Sequence, residues 1–143
     1  MLYFDTSFLV PLILPEATSE PIAEFFQDAQ ARGMAVSHWT RVEFSSLLAR
    51  EVRMGGLSAE AAREANARFE SMVEESFAVI PPNGSDFDLA KEYLGRYETG
   101  LRAGDALHLA IAKNHGAEAM LSLDKALLRA GQLLGVQVSA GIA

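Results

Sequence analysis

The chain contains no cysteine. That absence removes disulfides, thiolate nucleophiles and cysteine-ligated zinc together. Basic residues are scarce: twelve Lys and Arg stand against nineteen Asp and Glu, a net charge of −7. A general nucleic-acid-binding face would carry the opposite sign. An enzyme acting on a polyanion stays open, provided cations neutralise its site and a few arginines guide the substrate. No basic residue precedes Arg32, so the opening stretch lacks the basic region of a signal peptide. Pro11 interrupts the first apolar stretch, and no stretch approaches the ~20 residues of a membrane span. A soluble, cytoplasmic protein is expected. The phosphate-cradling patterns G-x-x-x-x-G-K-[ST] and G-x-G-x-x-G are missing, as is the serine-hydrolase elbow G-x-S-x-G.

What is present is a chain of 143 residues, half of them hydrophobic, with no low-complexity segment. A single domain over 1–143 is expected, burying roughly 70% of its unfolded surface. The chain opens on the apolar run Met1 to Phe4, breaks on Asp5-Thr6-Ser7, and resumes with Phe8-Leu9-Val10. Such a run reads as a strand buried on both faces of a parallel sheet. Helices are expected at Ser7–Leu14, stopped by Pro15, and at Thr18–Ala31, stopped by Gly33. Met34–Ser37 reads as a strand and Thr40–Arg53 as a helix ended by Gly55-Gly56. A longer helix capped by Ser58 carries the apolar stripe Ala62, Ala65, Phe69, Met72 and Val73. Phe77–Ile80 reads as a strand. Ser85 and Asp88 have capping-box spacing for a helix reaching about Glu98. Gly104–His115 reads as a helix, Ala119–Ser122 as a strand, Asp124–Ala130 as a helix stopped by Gly131, and Val136–Val138 as the last strand. This alternation predicts a three-layer α/β/α fold with a central, mostly parallel sheet of about five strands.

Four acids stand at a strand end or in a first helical turn: Asp5, Glu43, Asp105 and Asp124. Each has an ordinary reading. Glu43 closes the S/T-x-x-E capping box Thr40-Arg41-Val42-Glu43, and taken alone that reading is the stronger. Against it, Leu47 lies one turn on, so Glu43 borders a buried face. Asp105 opens a helix apolar almost all round, in which only Asp105 and His108 are polar; cation binding and a favourable helix dipole compete evenly there. Asp124 alone reads as an N-cap. Asp5 is the strongest case, because Ser7 could have capped its helix. The carboxyl ends of parallel strands share one edge, so the four can meet in one crevice. Carboxylates gathered there repel one another unless a divalent cation intervenes. Hard oxygen ligands suit Mg²⁺ or Mn²⁺, which bind substrate phosphate and assist phosphodiester cleavage.

Asp5-Thr6-Ser7 after an apolar strand, Thr40-Arg41-Val42-Glu43, Gly104-Asp105-Ala106-Leu107-His108-Leu109-Ala110 and Ser122-Leu123-Asp124-Lys125 resemble the four motif blocks of PIN domains. More narrowly, the chain resembles the VapC ribonuclease toxins of prokaryotic toxin–antitoxin pairs, over essentially its whole length. The resemblance implies a metal-dependent endoribonuclease in which Asp5, Glu43 and Asp105 hold the metal. Asp124 would complete the cluster directly or through water, Ser122 and Ser7 would orient a carboxylate or water, and His108 would serve a structural role beneath the site. It further implies a homodimer and a small VapB-type antitoxin whose tail blocks the acidic crevice. Arg41, Arg50 and Arg102 lie near the acidic blocks as candidate contacts for RNA phosphates. His38 and His115 fall outside the blocks and read as surface or loop residues. A haloacid-dehalogenase-like phosphoaspartyl enzyme needs a second Asp where Ser7 stands, and a receiver domain would carry its Asp after a later strand. The rival from another class is a non-catalytic interaction module in which the acids are only caps.

Overall fold

Successive side chains of a strand point to opposite faces, and a parallel strand between helical layers buries both. The first strand, β1 (Leu2–Phe4), does this: Leu2 and Phe4 enter one apolar core and Tyr3 the other. The computed structural model describes residues 1–14 and 19–142. After β1 come α1 (Thr6–Ile13), α2 (Ser19–Ala29), β2 (Met34–Ser37), α3 (His38–Arg53), α4 (Ala59–Ser76), β3 (Ala78–Ile80) and α5 (Gly84–Leu94). They are followed by α6 (Ala103–Asn114), β4 (Ala119–Leu121), α7 (Lys125–Leu133) and β5 (Val138–Ser139). All strands pair in parallel, in the order β3-β2-β1-β4-β5. The expected three-layer arrangement is what forms, with a sheet parallel throughout.

Helices α1 to α4 cover the face reached by Leu2 and Phe4, whereas α5 to α7 cover the face reached by Tyr3. Phe4 stacks on Phe26 at 5.0 Å between ring centroids and meets Phe8 at 5.3 Å and Phe77 at 5.7 Å. Such pairs add about 0.5–1.5 kcal/mol each beyond burial, and here they fix α1 and α2 against the central strand. The strand order reverses direction at β1, whose neighbours β2 and β4 lie on either side. The crevice beyond the carboxyl end of β1 is therefore the topological switch point of the sheet. Asp5 is the next residue.

Several helix boundaries differ from the sequence reading, each for a local reason. Ser37 caps α3: its Oγ accepts from Thr40 N–H at 3.4 Å, while Thr40 Oγ1 accepts from Ser37 N–H at 3.1 Å. The capping box thus runs from Ser37 to Thr40, three residues earlier than expected, and Glu43 has no part in it. The α5 box likewise pairs Asn83 with Asp86 rather than Ser85 with Asp88. Asp86 is fully buried and also accepts from Asn114 at 2.9 Å and pairs with His115 at 3.0 Å, tying α5 to α6. His115, in the turn that ends α6, is therefore also an inter-helix contact, and His38 is exposed, as surface or loop residues are. Helix α5 ends at Leu94, and Tyr97–Thr99 forms a separate 3₁₀ turn. The expected stop at Pro15 and start at Thr18 lie outside the described residues.

Helix α7 does not stop at Gly131 but continues to Leu133, and β5 begins at Val138 rather than Val136. Gly131 is there for space: a Cβ would lie 2.5 Å from Val138 Cγ1 and 3.3 Å from Leu109 Cδ2. Alanine gains about 1 kcal/mol in helix propensity but loses about 1–3 kcal/mol to overpacking against a stiff β-branched neighbour. Gly131→Ala is expected to lower stability by about 1 kcal/mol net, and a thermal melt should register that as a fall of a few degrees. An unchanged or raised melting temperature would show that β5 yields freely.

Candidate active site

Burying a carboxylate costs several kcal/mol unless donors or a cation compensate it. Asp5 is 4% exposed and is answered by three donors. Its Oδ1 accepts from Ser7 Oγ at 2.8 Å and Phe8 N–H at 3.2 Å, and its Oδ2 accepts from Ser122 Oγ at 2.8 Å. Asp5, not Ser7, is thus the N-cap of α1. Ser7 in turn accepts from Leu123 N–H at 3.0 Å and Ser122 from Asp124 N–H at 3.0 Å, so both hydroxyls bind the end of β4 to the end of β1. Burial still pushes the Asp5 carboxyl upward, against the opposing charge of His108 and these hydrogen bonds.

The other three acids reach the same place from separate elements. Asp5, Glu43, Asp105 and Asp124 line one cavity of about 230 Å³, together with Thr6, Ser7, Val10 and Leu47. Glu43 projects from α3; its Oε1 accepts from Thr6 Oγ1 at 2.6 Å and from His108 Nε2, and no described donor meets its Oε2. Burial alone would raise Glu43, but the hydrogen bond and charge of His108, with Thr6, hold it below the ordinary 4.5. Asp124 Oδ1 caps α7 through Ala126 N–H at 2.9 Å and Leu127 N–H at 3.2 Å. Asp105 is half-buried and accepts no hydrogen bond from any described residue. Burial, together with the charges of Asp124, Glu43 and Asp5, pushes it to about 6 against the pull of His108.

A divalent cation fits this donor set chemically. Free carboxylate oxygens remain on Asp105, Glu43 and Asp124, and the neighbouring charges add to the burial that raises Asp105. The side chains do not, however, close on a single point. Among the described residues, no three His, Cys, Asp or Glu side chains stand as a ready metal-ligating group. Mg²⁺ commonly keeps several waters and is held by only one or two carboxylates, so a cavity lined by acids suits a hydrated ion.

Four residues in this network were given no site role from the sequence. Thr6 stood in the first motif block and Trp39 just before an expected helix, yet Thr6 donates to Glu43, and Trp39 Nε1–H donates to the Gly104 carbonyl at 3.2 Å. Gly104 allows that approach, since a Cβ there would lie 2.9 Å from Glu43 Oε2 and 3.1 Å from the Trp39 ring. Tyr3 and Ser37 complete it beneath His108. The one available hint was a tyrosine on an otherwise apolar strand. Of the expected substrate-binding arginines, Arg41 is engaged: its Nε meets Glu70 at 3.0 and 3.1 Å, and its Nη1 meets His38 at 2.8 Å. Arg102 and Arg50 are exposed, and neither is ion-paired among the described residues.

A family model described as PIN domain matches residues 2–133. No curated protein sequence matches the chain. Among solved structures, FitAcB from Neisseria gonorrhoeae aligns with a TM-score of 0.74 at 18% identity over 96% of both chains. The sarcin-ricin loop cleaving toxin VapC20 of Mycobacterium tuberculosis aligns with a TM-score of 0.70 at 20% identity, over 95% of this chain and 96% of that one. VapBC2 from Rickettsia felis, bound to a DNA fragment from its promoter, aligns at 0.74 and 11% identity, over 97% and 98%. Identities this low speak to a shared fold.

The charges at the site set a sign for pH dependence. Asp105 prefers its proton more in the folded chain than in the unfolded one, where 3.8 is ordinary, so metal-free stability falls as pH rises towards and past 6. His108 is raised from 6.5 to about 10: burial opposes this, but the Tyr3 oxygen and the carboxylates of Glu43 and Asp5 outweigh it. Its contribution is complete below 6.5 and is lost as pH rises through about 10; that of Glu43 is complete above 4.5 and is lost on acidification. Metal-free protein is therefore expected to melt highest near pH 4.5, below which Glu43 loses its contribution and above which Asp105 and then His108 lose theirs. Asp105→Asn should raise the melting temperature at pH 8 by the equivalent of about 1 kcal/mol, after discounting for solvent screening, and leave it unchanged near pH 4. A variant less stable than the parent at pH 8 contradicts this balance.

Proposed function

The chain belongs to the PIN-domain family, and from that premise we propose that it is a metal-dependent endoribonuclease acting as the VapC-type toxin of a toxin–antitoxin pair. One observation carries the reading: four carboxylates from β1's end, α3, α6 and β4's end line a single cavity at the switch point of the sheet. Helix capping accounts for Asp5 and Asp124 but not for Glu43 and Asp105. Glu43 keeps one oxygen and Asp105 both without a described donor.

In this reading Asp5, Glu43, Asp105 and Asp124 hold Mg²⁺ or Mn²⁺, directly or through water. When bound, the cation supplies positive charge for the scissile phosphate and for the leaving oxygen. Ser7 and Ser122 keep the Asp5 carboxylate oriented, as surrounding hydrogen-bond partners of a ligand do. Val10 and Leu47 border the cavity with apolar surface. Arg102, immediately before α6 and exposed, guides an RNA phosphate. Arg41 joins it only by leaving Glu70, an exchange that costs little for a half-exposed surface pair. The partners that follow are a homodimer mate and a small VapB-type antitoxin, and the net charge of −7 favours a basic antitoxin segment. No helix among the described residues is long and apolar enough to cross a membrane, which accords with action on cytoplasmic RNA.

The competing reading, a non-catalytic interaction module, draws on the caps that Asp5 and Asp124 do form. Asp5→Asn separates the two, because Asn caps a helix as well as Asp but carries no charge. The variant is expected to melt within a few degrees of the parent and to lose at least 100-fold in RNA cleavage and its growth arrest on expression. EDTA should abolish cleavage by the parent, and excess Mg²⁺ or Mn²⁺ should restore it. Cleavage and arrest that survive Asp5→Asn sink the catalytic reading.

A further inference from the structure

Tyr3 lies on the central strand two residues before Asp5 and is 0% exposed. A buried phenol needs partners, and this one has two: Ser37 Oγ at 2.9 Å and His108 Nδ1 at 2.7 Å. His108, 1% exposed, stands one turn after Asp105 on α6 and directs Nε2 to Glu43 Oε1. An ionised carboxylate only accepts, so Nε2 carries the proton in that bond. Thr6 donates to the same oxygen at 2.6 Å. Both donors therefore fall on Oε1, and Oε2 is held beside Gly104 with no described donor.

We propose that Tyr3 and His108 form a positioning pair that fixes the Glu43 carboxylate from below and presents its Oε2 to the cation in the acidic cavity. The proposal rests on the reading of that cavity as a divalent-metal site. Glu43 has three rotatable side-chain bonds, and leaving them free costs ordering at the moment of binding. Here β1, the start of α1 and α6 hold one oxygen in place before any ligand arrives, which is how functional groups are preorganised. Tyr3's other partner, Ser37, caps the helix that bears Glu43. One hydroxyl thus links the helix start to the residue that aligns its carboxylate. A purely apolar core could fill the same volume without these groups, so their presence beneath Glu43 calls for a role in the cavity.

The test uses the full chain and Mn²⁺ as the probe. Tyr3→Phe removes one hydroxyl and keeps the ring. It should weaken Mn²⁺ binding, read by electron paramagnetic resonance, about tenfold. It should also lower kcat on RNA to a similar extent, while KM for RNA stays within about twofold and the melting temperature within a few degrees. His108→Leu should do more, and His108→Gln, which retains a donor, should recover part of that loss. Tyr3→Phe added to His108→Leu should cost nothing further, because Tyr3 acts through His108. Wild-type Mn²⁺ affinity in Tyr3→Phe overturns the pair, as do losses that multiply in the double variant. Loss of the fold in Tyr3→Phe assigns a structural role and overturns it equally. Failure of the parent to bind Mn²⁺ sinks the metal-site reading beneath it, whereas Mn²⁺ binding without RNA cleavage sinks the nuclease reading and leaves the pair standing.

Discussion

A carboxylate carried into the interior at the end of the central strand sets the terms for everything at that edge of the sheet. Asp5 is almost wholly removed from water, and the hydrogen bonds it accepts tie the start of α1 and the end of β4 to it. Phe8 N–H ties it to α1, Ser7 to its own turn, and Ser122 to the end of β4. Those donors lend partial positive charge without neutralising it. The strand can place the acid there because its aromatic neighbours anchor it: Phe4 is locked among Phe8, Phe26 and Phe77 on one face, and Tyr3 is hydrogen-bonded on the other. Rigid packing behind the residue is what makes the exposed edge of the carboxylate a defined feature.

Around that first acid the charge balance is uneven by construction. Glu43 is compensated by His108 and Thr6, and it falls below its ordinary range. Asp105 hydrogen-bonds to neither and rises to about 6. The two differ because α6 turns His108 under Glu43 while leaving Asp105, one turn earlier, facing Asp124 and the cavity. The result is a pocket with one buried cationic side chain below it and several unanswered carboxylate oxygens within it. Such an arrangement stores repulsion in the metal-free state, and a bound cation would relieve it.

Much of this was legible in the residues. The order of strands and helices, the parallel sheet and the four acids at element ends followed from periodicity, from apolar runs broken by an acid, and from the resemblance to PIN domains. What misled were signals with two readings. Thr40-Arg41-Val42-Glu43 has perfect capping-box spacing, but Ser37 three residues earlier forms the cap, and Glu43 turns inward. Ser85 and Asp88 lost to Asn83 and Asp86 in the same way. Gly131 read as a stop because glycine so often ends helices, whereas its role is to admit Val138. Each error arose where one local motif competes with another close by, or with a packing contact that the motif does not show.

The sequence by itself determined the architecture and the membership of the acidic cluster, because hydrophobic period and residue type are local properties that each segment carries wherever it lies. Only the tertiary structure decided how Asp5 shares its duties between a helix cap and the cavity, which oxygen of Glu43 remains free, and why Asp105 is raised to about 6. Those depend on side chains 37, 65 and 117 positions apart meeting within hydrogen-bond distance. Directional bonds and local dielectric exist only once distant segments are packed, and no spacing along the chain encodes them.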